Sequence, residues 1–136
     1  MASELDPALT LAVSVIRRAL AGECVELKEK VLRDYVPTAH LCHENVREWV
    51  KLYPKYKHVY GFLVANQREI DTSIVIAHSA VEDIDGALND ITPNDAKCRY
   101  PFVRHVGTEA EFELIAGKEP FFLEVPNSLL RELGAI

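Results

Sequence analysis

SIVIAHSAVEDIDGALNDI, residues 73–91, decides how this chain folds. Its first ten residues are β-branched and apolar with a period of two, which is the pattern of a strand with one buried face. Alternation puts His78 on the face of Ile74, Ile76 and Ala80, where a polar ring needs a purpose or a partner. The segment DIDG (83–86) then sets which residue of the following strand meets that histidine. A two-residue turn at Asp85-Gly86 would oppose Glu82 to Asn89 and bring Asn89 to the His78 face. Asp at the first position and Gly at the fourth favour a type I turn followed by a G1 bulge instead. That loop is Ile84, Asp85 and Gly86; it opposes Asp83 to Ala87, Ala80 to Asp90 and His78 to Thr92. Asp90 then becomes a diagonal neighbour of His78, close enough for a carboxylate to orient an imidazole. The bulge also accounts for the first aspartate, so it is the expected register.

Working outward from this hairpin, HVYGFLVAN (58–66) reads as the preceding strand, GALNDI (86–91) as the following one, and PFVRHV (101–106) and FFLEV (121–125) as two more. On the N-terminal side the period becomes helical. Asp6 caps and Pro7 starts a first helix with Leu9, Val13, Ile16 and Leu20 on its apolar face, and Gly22 marks its end. A second helix is expected over Glu23–Arg33, with Cys24, Leu27 and Val31 on one side. Pro37 and Thr38 interrupt the pattern. A third helix begins within HLCHENVREWV (40–50), where Cys42, Val46, Trp49, Val50 and Tyr53 form one face and Pro54 ends it. NSLLRELGAI closes the chain as a terminal helix capped by Asn127. The expected fold is one α+β domain over residues 1–136, with N-terminal helices packed on an antiparallel β-meander.

The chain has 136 residues, 49% of them hydrophobic and 26% charged, which suits a single soluble core. A net charge of −6 offers no electrostatic footprint for nucleic acid. No run reaches the ~20 apolar residues of a membrane helix, and the N-terminus lacks the basic start of a signal peptide, so a cytoplasmic protein is expected. Cys24, Cys42 and Cys98 are odd in number and have no CxxC spacing, consistent with free thiols in a reducing compartment.

Cys42 falls in the first turn of its helix, where unpaired amides and the helix dipole favour a thiolate. An activated thiol needs a base held by a third polar group, and His78 with Asp90 supplies both. A metal reading would use His40, Cys42, His43 and His78. It fails on spacing, because helical neighbours one residue apart do not face one ion. No cofactor is expected. His58 and His105 fall near strand ends and carry no strong signal.

The order Cys42, His78, Asp90 on helix, strand and next strand resembles that of transglutaminase-like cysteine enzymes, within the wider papain-like group. VYGF (59–62) is similar to the glycine-bearing strand that follows the cysteine helix there, and HSAVEDIDGALNDITP to its histidine strand, turn and aspartate strand. CHENV, YGF, HSAV and DITP also resemble segments of small bacterial proteins. The resemblance spans residues 40–93 and implies a papain-like core. It also implies Cys42 as nucleophile, His78 as base and Asp90 as orienting acid, acting on a peptide, amide or thioester. The Cys42 N–H would be one oxyanion donor. His43, Trp49, Tyr60 and Asn89 are the candidate binding residues. A non-catalytic domain of the same fold that binds a peptide or protein is the competing expectation.

Overall fold

The computed structural model describes residues 6–29, 42–91, 100–118 and 122–136. Val31, Pro37, Thr38, His40, Thr92 and Cys98 lie outside the described residues, so the expectations that rest on them have no counterpart below.

The first helix, α1 (Pro7–Leu20), starts where the sequence places it: Asp6 accepts from the Ala8 N–H at 2.9 Å, and proline occupies the first turn. Its buried residues are Ala8, Ala12, Val13, Val15 and Ile16, whereas Leu20 is 59% exposed. Val13 and Ile16 of the expected face are buried and Leu9 packs against the core, but Leu20 lies outside it, and Ala8, Ala12 and Val15 complete the buried face. Gly22, at φ 82, then reverses the chain.

The expected helix at Glu23–Arg33 is not formed over its described part. Val25 bridges Phe102 through two backbone hydrogen bonds of 2.9 and 2.7 Å, and β1 (Lys28–Glu29) runs parallel to β4 (Leu88–Asp90). Only Cys24 and Leu27 carried the helical pattern there, and both are equally well served by an extended edge segment. The next helix, α2 (Cys42–Leu52), has the cysteine as its first described residue and buries Asn45, Val46 and Trp49.

Two long strands, β2 (Lys57–Gln67) and β3 (Thr72–Glu82), pair along their whole length and form the spine of the sheet. A single 3-10 turn (Arg68–Ile70) and Asp71, at φ 51, join them. The sheet is not a simple meander. β5 (Phe102–Arg104) returns to the free edge of β2, while β4 and β6 (Phe122–Pro126) share the other edge of β3. A helix absent from the sequence reading, α3 (Glu109–Ala116), lies between β5 and β6 and opens with a Thr108–Glu111 capping box. The last helix, α4 (Asn127–Glu132), has Pro126 rather than Asn127 at its cap. The Asn127 side chain is instead buried, accepting from Ser73 at 2.7 Å and donating to Asn66 and Asp71 at 3.1 and 3.2 Å.

The result is an α+β fold in which N-terminal helices pack on a curled, mostly antiparallel sheet that forms a half-barrel. One face carries the main core, where Phe62, Val75, Ala77, Val103, Phe112 and Ile115 meet α1 and α3. α2 covers the same face further along, through Val46, Trp49, Val81 and Ile91. The opposite, concave face encloses a small cluster of Leu27, Val59, Ala80 and Phe102. Among the described residues no helix is long and apolar enough to cross a membrane.

Gly61 shows how closely this concave face is packed. A Cβ there would lie 2.3 Å from Cζ of Phe102 and 2.6 Å from the Val103 carbonyl oxygen. The phenylalanine ring uses the space that a side chain would fill. Gly61→Ala is therefore expected to destabilise the protein by roughly 1–3 kcal/mol, since the obstructing carbonyl belongs to the neighbouring strand. A lowered urea midpoint at unchanged slope measures this; an unchanged midpoint would mean that β5 can move aside.

Candidate functional site

The hairpin after β3 has the bulged register. Gly86 donates to the Asp83 carbonyl at 3.0 Å and has φ 84, and Asp83 donates to Ala87 at 3.0 Å. The Asp83 carboxylate accepts from the N–H groups of Asp85 and Ala87 at 2.9 and 3.0 Å, which is what the first aspartate of DIDG does. Val81 then opposes Asn89, and by the same register Ala80 opposes Asp90. One consequence is decisive for the site. Asp90 turns to the concave face and its Oδ1 lies 3.2 Å from Nε2 of His78.

His78 sits opposite Gly61 and is almost fully buried, with the Phe102 ring edge-on at 6.3 Å. On the β3 edge shared by β4 and β6, residues 77–79 have no strand neighbour among the described residues. In this interval the first residue of α2 meets the sheet. The Cys42 thiol is half-buried beside the side chains of His43 and His78, both of which act on its titration.

The electrostatics follow from these neighbours. Burial pushes the Cys42 thiol up, but hydrogen bonds and charge from His43 and His78 outweigh it and bring the pKa from 9.0 to about 6. Burial disfavours a charged His78, yet Asp90 and Cys42 together raise it from 6.5 to about 9. Between these two values the pair exists as thiolate and imidazolium. This arrangement can deliver a nucleophilic sulfur and a proton donor in one place.

The other sequence-predicted residues fall differently. His43 reaches the helix-covered face, where Nδ1 is 2.5 Å from Oγ of Ser79 and its ring lies edge-on to Phe112. Tyr60 is half-buried beside it, stacked on His58 at 4.1 Å. Trp49 is 0% exposed and packs on Tyr53 and Tyr56, so it has no surface with which to touch a ligand. Asn89 faces away from His78, donating to the Ala87 carbonyl at 3.2 Å within the hairpin. Cys24, expected on a helix, lies in the extended segment with its Sγ 3.7 Å from the Ala19 carbonyl. Among the described residues no group of His, Cys, Asp and Glu has the geometry of a metal site.

Two residues of this cluster lie outside the candidate set read from the sequence: Ser79, and His58, which carried no strong signal there. Ser79 is fully buried, and its hydroxyl bridges His43 and, at 2.9 Å, Nε2 of His58. Burial first, then the charges of His43 and Arg47, lower the His58 pKa from 6.5 to about 4. Strand alternation placed a serine between Ala77 and Val81 on a buried face, and that was the available signal. Comparison of the chain with family models, curated proteins and solved structures finds no match.

Proposed function

We propose that this protein is a cysteine hydrolase or acyltransferase acting on an amide or thioester carbonyl. The observation that carries the reading is the contact series from the thiol at the start of α2, through His78, to Asp90 at 3.2 Å. Its order of helix, histidine strand and aspartate strand also agrees with the resemblance to transglutaminase-like and papain-like enzymes. The Cys42 thiolate attacks the carbonyl carbon, forming a C–S bond and an oxyanion, with the Cys42 N–H as one donor to that oxygen. Collapse of the oxyanion expels the amine or thiol, which takes its proton from the His78 imidazolium. His78, now neutral, deprotonates the water or acceptor that attacks the thioester, and Cys42 leaves as thiolate. Asp90 holds the imidazole in the required orientation throughout.

Alkylation of the three cysteines by iodoacetamide, followed residue by residue across pH 5 to 9, tests this without a substrate. Cys42 is expected to react with a midpoint of about 6 and to outpace Cys24 and Cys98 at pH 6. An inert Cys42 would overturn the catalytic reading and leave a peptide- or protein-binding domain of the same fold.

A further inference from the structure

The thiol has two imidazole neighbours, and the triad uses only one. The second, His43, is held on its other side by a buried chain: Ser79 Oγ lies 2.5 Å from Nδ1 of His43 and 2.9 Å from Nε2 of His58. With Nδ1 occupied by Ser79, Nε2 is the nitrogen available to the sulfur. That atom is buried and has no hydrogen-bond partner among the described residues, and His43 is one of the two side chains that lower the thiol's pKa. A thiolate can only accept, so a ring nitrogen beside it has to bring a proton.

We propose that His43 is a positioning residue for the Cys42 thiolate, its Nε2–H directed to the sulfur by a hydrogen-bond chain that runs from His58 through Ser79. Proton counting alone permits either direction, and a proton on His43 Nε2 beside a thiolate that can only accept selects one of them. A serine hydroxyl has one proton for two imidazoles. His58 Nε2–H donates to Ser79 Oγ, Ser79 O–H donates to His43 Nδ1, and His43 Nε2–H donates to the sulfur. On the triad side the positive charge opposite the thiolate is carried by His78, next to Asp90. The titratable and charged groups that face the chain are His43 and His78 at the sulfur, and His43 and Arg47 at His58. The stacking of His58 on Tyr60, at 4.1 Å and 27°, holds the first donor of the chain in place. The serine works through His43 and touches no reacting atom.

The inference rests on the proposed thiol chemistry, and the test separates the two. The probe is iodoacetamide, and the readout is the pH midpoint of Cys42 alkylation in the full chain. His43→Ala is expected to raise the midpoint by about one unit, the scale of a charge-assisted hydrogen bond. Ser79→Ala is expected to raise it by about half a unit, through loss of the tautomer preference. His43→Gln should stay within a few tenths of a unit of wild type, because its amide can present an N–H near the position of Nε2. Should Ser79→Ala not fold, nitrogen NMR of the wild-type imidazoles reads the same claim directly: His43 is expected to be protonated at Nε2 and bare at Nδ1. A His43 protonated at Nδ1, or a midpoint unmoved by Ser79→Ala, would overturn the chain while leaving the triad reading intact. An inert wild-type Cys42 would instead overturn the reading on which it rests.

Discussion

Replacing His78 by alanine is expected to slow alkylation of Cys42 at pH 6 on the order of 20-fold at most, leaving Cys24 unchanged. The size follows from two opposing effects. A full return of the thiol from about 6 to 9.0 lowers its thiolate fraction at pH 6 from about one half to about one in a thousand. The more basic sulfur is intrinsically more nucleophilic, with a Brønsted slope of about 0.4–0.5, and recovers part of that loss. His43 remains in the variant and continues to favour the thiolate, so the full effect is an upper bound. Once a substrate is in hand, turnover should fall further, by about 10²–10⁴-fold, since the leaving group also loses its acid. The pH profile of the wild type has a matching form. A thiol held below its ordinary value is charged above about 6, and an imidazole held above its ordinary value is charged below about 9. The productive ion pair therefore fills the window between them, and activity should fall on both sides. A His78→Ala protein whose Cys42 reacts at the wild-type rate would remove His78 from the site.

Trp49→Ala is expected to have the largest effect on stability, about 3–5 kcal/mol. The indole is completely enclosed where α2 meets β3, among Val46, Val81 and Ile91, with Tyr53 and Tyr56 at ring distances of 5.3 and 5.7 Å. Removing it leaves a cavity at the joint that presents Cys42 to the sheet. The unfolding temperature should drop by on the order of 10 °C, with Trp49→Phe intermediate, as calorimetry would measure. Cys42 in the folded fraction should keep its low alkylation midpoint, because Trp49 lies two turns from the thiol and packs on the core. A Trp49→Ala protein as stable as wild type would show that α2 is held to the sheet by something else.

What the sequence determined by itself is what short-range chemistry specifies. Asp6 and Pro7 start α1 because a cap and a preset φ act within one turn. DIDG sets the β3–β4 register because a bulge with Gly86 at φ 84 needs only the loop's own residues. From that register alone follow the face of Asp90 and its meeting with His78. The Thr108–Glu111 capping box of α3 was equally local and equally readable. Tertiary structure decided what depends on distant partners. The segment 23–29 has too few apolar residues to choose between helix and strand, and pairing of Val25 with Phe102 and of Lys28 with Asn89 chose for it. The placement of β5 on β2 and of β6 on β3 likewise has no local signature, because any exposed strand edge could accept them. The same holds for the chemistry beside the thiol. Cys42, His78 and Asp90 were legible as a set because the helix start and the hairpin order each place one part. The link from His58 through Ser79 to His43 was not. It joins the start of β2, the middle of β3 and the first turn of α2, and nothing local to any one of them specifies the other two.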